Sequence, residues 1–351
     1  MQKRFTRKHL NNKIFAYWTA VCFLIVAILL GISIGTVSVP AITIIKIIGA
    51  EIFMSPSEGI DPMYSNIVMN IRLPRVILAG LVGASLAIAG AAFQGLLRNP
   101  LADPYTLGVS SGASVGAVLT LFFSISIPMA GMFTLPLLSI LFSFLTIFLV
   151  MIFARNIERS MKVETIILTG IIFSSFLGAL ISLMIALTGE ELRQIIGWLL
   201  GSVSMRGWAY IKIIMPFFII GSIILFANSH ELNAMSFGEE RAQHIGVNVQ
   251  KRKMLILIAG SILTGAAVAV SGTIGFVGLV IPHLTRLLWG PDHKHLLPLS
   301  IFIGAGFLIL ADLVARTIIS PTELPIGVIT ALIGAPVFAI ILMNRRTERR
   351  G

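Results

Sequence analysis

Charge is scarce in this sequence: 12% of its 351 residues are Asp, Glu, Lys or Arg, where soluble domains carry ~25%. An ordinary water-soluble fold is thereby excluded. Cysteine is scarcer still. The single Cys22 leaves no disulfide framework and no cysteine metal site, and its place inside an apolar run predicts a small buried side chain. There is no Gly-x-x-x-x-Gly-Lys-Ser/Thr stretch, so the chain has no P-loop to cradle nucleotide phosphates. The apolar runs also lack a central series of Asp, Glu or Lys, which argues against a proton-coupled carrier. His283, His293 and His295, with Asp292 nearby, do not follow the helical His-x-x-x-His spacing, and no metal site is expected from them.

What is abundant is apolar surface, at 56% of residues. Several runs exceed the ~20 residues that cross a hydrocarbon core as helix, and no alternating strand pattern recurs. The fold class is therefore all-α, a polytopic membrane protein forming a single transmembrane domain over residues 1–351. Spans are predicted at 14–38, 66–96, 105–127, 131–153, 164–188, 208–228, 254–271, 275–289, 296–317 and 326–343. The eighth is short and contains Pro282, so a short, tilted or broken helix is expected there. The first is too long for a signal-peptide core and lacks an A-x-A cleavage pattern, so it is expected to be retained.

The net charge of +11 lies in short clusters between the spans, which reads as topology and not as nucleic-acid binding. With both termini placed in the cytoplasm, 19 of the 26 Lys and Arg fall inside, as the positive-inside rule requires. These include Lys3, Arg4, Arg7, Lys8 and Lys13 at the start and Arg345, Arg346, Arg349 and Arg350 at the end. The seven exceptions include Arg72, Arg75 and Arg316, for which snorkelling or an Arg316–Asp312 pair is one explanation.

"GASLAIAGAAFQGLL" from Gly83 resembles "GAAVAVSGTIGFVGLV" from Gly265. The two spans run in opposite directions, which predicts an inverted repeat relating spans 2–5 to spans 7–10. Gly83, Ala87 and Gly90, like Gly265, Ala269 and Gly272, are spaced to share one helix face and admit close helix packing. The longest cytoplasmic loop, residues 229–253, is predicted to hold two short helices, with Glu239 to Ile245 ended by Gly246.

Four segments in order, "RLPRVILAGLVGASLAIAGAAFQGLLRNPLADPYTLGVSSGASVGA", "SFGEERAQHIGV", "GFVGLVIPHLTRLL" and "ADLVART…ELPIGVITALIGAPVFAIIL", resemble the FecCD family of ABC importer permeases. The resemblance implies a ten-helix subunit of the bacterial cytoplasmic membrane that carries a ferric siderophore by alternating access. Cobalamin or haem is the alternative cargo, and an ion-coupled secondary transporter the alternative mechanism. Its implied partners are a second permease subunit, identical or similar, two ATPase subunits that bind ATP and Mg, and an extracytoplasmic substrate-binding protein, lipid-anchored if the cell is Gram-positive. The chain itself would be neither an enzyme nor a cofactor carrier.

The resemblance also implies residue roles. "EERAQHIG" is similar to the EAA motif of importer permeases, keeping Glu240, Ala242 and Gly246 and departing at Arg241. Gly238, Glu239, Glu240, Arg241, Ala242 and Gly246 would then couple to the ATPase, Ala242 allowing close approach. Arg72, Arg75 and Arg316 would receive acidic residues of the binding protein, a task suited to guanidinium. Asn99, Leu101, Val163 and Glu164 would lie at the cytoplasmic gate, with a plain capping turn as the other reading of Asn99 and Leu101. Ser110, Ser111 and Ser114 would suit a hydroxyl-lined pathway.

Overall fold

A computed structural model describes residues 2–35, 37–53 and 61–348, with side chains from residue 13 onward apart from 52, 342 and 344–348. Of the terminal basic residues, Arg349 and Arg350 lie outside the described residues. The elements are α1 (Gln2–Ser33), α2 (Ala41–Ile52), α3 (Pro62–Asn66), a π-turn (Ile67–Arg72), α4 (Leu73–Leu96), a 3-10 turn (Pro104–Leu107), α5 (Val109–Phe122) and a second 3-10 turn (Gly131–Phe133). There follow α6 (Thr134–Ile157), α7 (Val163–Leu187), α8 (Leu192–Leu199), α9 (Gly207–Ala227), α10 (Ser229–Ser236) and α11 (Glu239–His244). The chain finishes with α12 (Val249–Ser271), α13 (Val277–Trp289), α14 (His293–Thr317) and α15 (Ile326–Glu348).

Among the described residues seven helices are long and apolar enough to cross a membrane, and residues 109–122, 277–289 and 326–341 form shorter apolar helices. These ten correspond to the ten predicted spans. The eighth, α13, is short as expected, and Pro282 lies within it without breaking it. The amphipathic helices α2 and α8 were not foreseen. In α8 the sequence "LRQIIGWL" buries Ile195 and Trp198 and leaves Arg193 at the surface, too short a pattern to stand out beside the long runs.

Two helices form the centre, α4 and α12, whose most apolar windows are 83% and 78% buried, against 17% for α7. Their sequences permit this because small residues let neighbouring backbones come close. A Cβ on Gly83 would collide with the Gly304 carbonyl of α14, and one on Gly90 with the Gly278 carbonyl of α13. Likewise a Cβ on Gly265 would meet Ser143 of α6 and, at 3.6 Å, Val109 of α5. Thus α4 packs on α13 and α14, while α12 packs on α5 and α6, an exchange of neighbours that fits the predicted repeat of spans 2–5 in spans 7–10. Gly272 departs from its predicted packing role: at φ +73° it ends α12, against the Trp198 carbonyl. Cys22 also departs from expectation, because α1 packs mainly through one face and Cys22 lies on the exposed one.

The two half-length helices α5 and α13 each follow an irregular connection, and the connections meet. Tyr105 Oη donates to the Ile274 carbonyl at 2.7 Å and accepts from the Ile274 amide at 2.9 Å. Backbone that leaves helical geometry inside a bundle needs such partners, since no lipid group can supply them.

Candidate functional site: two polar ends of the bundle

At one end α1 and α10 both meet the start of α14. Lys13 lies 3.9 Å from Asp292, Tyr17 Oη 3.2 Å from His295 Nδ1, and Asn233 Nδ2 donates to Asp292 at 2.7 Å. Asp292 also accepts from the Lys294 amide as the N-cap of α14, and His293 Nδ1 sits 2.8 Å from Asn233 Oδ1. These histidines and Asp292 thus have helix-end duties. Among the described residues no group of three or more His, Cys, Asp or Glu gathers as a metal site would require.

The same end carries α10 and α11, and beside α11 opens a cleft of about 800 Å³. Gly238, Glu239, Glu240 and Arg241 line it together with Val163, Glu164 and Arg98. The structure therefore brings the expected coupling residues against the start of α7, two groups far apart in sequence. Gly238 holds φ +121° and Gly246 φ +90°, conformations that favour glycine, and they bound the six-residue helix. Ala242 is wholly buried in this chain's own core. α11 presents Glu240, Arg241, Gln243 and His244, and it is flanked by two apolar side chains the sequence analysis did not single out, Phe237 and Ile245, each 72% exposed. Polar surroundings and large exposed apolar side chains on a short projecting helix could have marked them as a contact patch.

Around the gate positions the picture divides. Asn99 Oδ1 accepts from the Leu101 amide at 2.9 Å, which is the local turn of the capping reading, while the Leu101 side chain itself projects into the open. Val163 is buried and Glu164 exposed. Asp103 caps the 3-10 turn by accepting from the Tyr105 amide, and burial pushes its carboxyl up to about 6 against the opposing effect of that bond. Ser110 and Ser114 are buried in helix packing, so of the three expected pathway serines only Ser111 reaches the surface. Two further hydroxyl residues, Thr120 and Ser124, line a cavity of about 610 Å³ at the opposite end, with Glu190 and Glu191.

That opposite end holds the three arginines, each engaged within the chain. Arg75 Nε donates to Asp312 at 2.9 and 3.1 Å, and Nη2 to Asp312 at 2.8 Å and Glu323 at 3.1 Å. Its Nη1 donates to Glu323 at 2.7 Å and Ser204 at 3.3 Å. A guanidinium has five N–H groups in a fixed fork, and these bonds occupy the fork on both edges. Arg72, 5% exposed, donates from Nη1 to the Ile32 carbonyl at 2.7 Å and the Ser33 carbonyl at 3.0 Å, and from Nη2 to the Val37 carbonyl. Arg316, with 8% of its side chain exposed, donates to the Gly31 carbonyl and lies 3.9 Å from Asp312.

The last carbonyls of α1 have no partners inside their helix, and cations are favoured at a helix C-terminus. Arg72 and Arg316 supply both needs. Within the chain the three guanidinium groups therefore fasten α1, α4, α14 and the turn before α15. The outermost member of the network is Glu323, 39% exposed; burial works against its charge, yet the bonds from Arg75 outweigh it and hold its pKa below the usual range.

Residues 23–344 match the family model of the FecCD transport family. The ABC transporter permease protein YvrB of Bacillus subtilis (strain 168), described as uncharacterized, is 62% identical over 351 residues, spanning 100% of this chain and 99% of that one. The cobalamin import system permease protein BtuC of Halobacterium salinarum is 41% identical over 290 residues, 83% of this chain and 77% of that one. Among solved structures, a metal-chelate type ABC transporter in an inward-facing conformation superposes with a TM-score of 0.81 at 35% identity, covering 93% of this chain and 98% of that one. With the match running from the first membrane helix into the last, this chain belongs to the FecCD transport family and is an ABC importer permease subunit.

Proposed function

We propose that the chain is one half of a permease pair that moves a ferric siderophore across the bacterial cytoplasmic membrane, with the α11 end in the cytoplasm. The observation that carries this reading is the cleft in which α11 adjoins Val163 and Glu164 at the start of α7. A partner that displaces α11 would displace one edge of the same cleft. In a chain without a P-loop, ATP and Mg are held by two ATPase subunits, which dock on Phe237, Glu240, Arg241 and Ile245. The binding protein delivers cargo at the arginine end, whose shape the internal ion pairs maintain. Any such switch needs contacts that differ between its two states, and these lie between the two permease subunits and at the gates.

Uptake of radiolabelled ferric siderophore by a deletion strain complemented with this chain tests the cargo. Restored iron uptake that survives collapse of the ion gradient is expected, and restoration of cobalamin or haem uptake instead would replace the siderophore. The docking surface is tested by Phe237→Ser with Ile245→Ser. Both side chains are exposed, so the variant should reach the membrane in normal amount, yet co-purify with its ATPase at least tenfold less, as loss of apolar anchors at an interface centre produces. Undiminished co-purification would move the ATPase contact elsewhere.

A further inference from the structure

Lys253, in α12, has a side chain only 3% exposed. Burying an ammonium carries a large desolvation cost that close partners must offset, and here they come from two separate elements. Nζ pairs with the Glu239 carboxylate at 2.7 and 2.9 Å, and donates to the Met161 carbonyl at 3.0 Å. Glu239 is the first residue of α11, and Met161 belongs to the turn joining α6 to α7, two residues before Val163.

The turn is built to move as a unit. Glu158 accepts from Ser160 at 2.8 Å and Thr165 at 2.9 Å and pairs with Lys162 at 2.6 Å, while Gln250 of α12 donates to the Arg159 carbonyl at 3.0 Å. Thr165 already lies in the first turn of α7, so the internal bonds of the turn extend into that helix. One buried ammonium thus joins a projecting helix to a stiff turn that leads into the gate-side helix. A methionine would fill similar volume without that double link, so packing alone does not call for lysine.

We propose that Lys253 is a positioning residue that transmits displacement of α11 to the α6–α7 turn, keeping the coupling helix and the inner end of α7 in register. The proposal rests on α11 being the ATPase contact. When α11 is pushed, Glu239 moves with it; the ammonium follows its carboxylate and draws the Met161 carbonyl, and the turn carries the shift to Val163 and Glu164.

The test uses the permease–ATPase complex in proteoliposomes, with spin labels at Gln243→Cys and Arg159→Cys in a Cys22→Ser background. Without Lys253→Met, adding ATP and vanadate should leave the distance between the labels nearly unchanged, because α11 and the turn travel together. With Lys253→Met the distance should become nucleotide-dependent by several ångströms, and siderophore transported per ATP hydrolysed should fall at least tenfold while hydrolysis stays within twofold. Lys253→Arg should restore most of the ratio. A Lys253→Met distance that ignores nucleotide, or transport and hydrolysis falling in parallel, would overturn the proposal. If Lys253→Met fails to fold, Glu239→Ala gives the same distance readout with the Met161 bond retained. Failure of the unsubstituted permease to bind its ATPase through α11 would instead defeat the functional reading on which this rests.

Discussion

Asp312→Ala is expected to cost the folded permease about 3–5 kcal/mol, the range for removing one partner of a buried ion pair. Asp312 is 1% exposed and serves two arginines, accepting from Arg75 along one edge and lying 3.9 Å from Arg316. Without it, two guanidinium groups share a low-dielectric space with, among the described residues, only Glu323 left to neutralise them, and Glu323 is at the rim. The α1 cap made by Arg316 would loosen with them. Thermal unfolding of the detergent-solubilised variant should show a midpoint lower by several degrees or more. The double substitution Arg75→Met with Asp312→Met should unfold higher than Asp312→Ala, because it leaves fewer buried charges unmatched. A wild-type midpoint for Asp312→Ala would show that the network does not hold this end together, and would return the arginines to a role toward partners.

Gly90→Val is the second substitution of large effect. At this position even a methyl group would overlap the carbonyl carbon and oxygen of Gly278, and the Cα behind them. Gly278 has no room to yield, since a Cβ built there already lies 2.8 Å from Pro104 and 2.9 Å from the Leu86 carbonyl. Overpacking an interior costs about 1–3 kcal/mol and sometimes more. The colliding atoms here are backbone, so the upper part of that range or beyond is expected. The displacement would open the α4–α13 contact and strain the neighbouring Pro104 turn that leads into α5. Loss of monodisperse protein in size-exclusion chromatography, with Gly49→Ala as a control that meets nothing within 4 Å, checks the prediction. A stable Gly90→Val permease with normal transport would mean the two helices do not touch there.

Much of the architecture was legible because a membrane leaves the chain few options. Backbone groups must be satisfied within helices, so run length and hydropathy locate the spans without any knowledge of packing. The small-residue faces at Gly83 and Gly90, and at Gly265, are legible for a related reason: only small side chains allow helix backbones to approach. The two short helices of the 229–253 loop were marked by Gly238 and Gly246, whose left-handed conformations end helices.

Side-chain direction was not legible. Arg72, Arg75 and Arg316 stand out as charges at span ends, and one-dimensional charge placement looks the same whether a guanidinium faces a partner or caps a neighbouring helix. The Ile32 and Ser33 carbonyls that claim Arg72 lie about 40 residues away in sequence, and Asp312 lies 237 residues from Arg75. The direction of Ala242 was hidden for the same reason, since α11 turns that face inward and leaves the flanking Phe237 and Ile245 exposed. Lys253 drew no notice as one of several basic residues in "QKRK", yet it alone of them is buried between two elements.

The sequence by itself determined the membrane class, the ten apolar helices, the antiparallel small-residue repeat and the absence of a nucleotide loop, all of which follow from local composition and spacing acting against a hydrocarbon solvent. Only the tertiary structure decided which charges are spent inside the molecule. A guanidinium or ammonium in low dielectric takes whichever carboxylate or carbonyl the fold brings within about 3 Å, and that juxtaposition depends on helices distant in sequence and neighbouring in space.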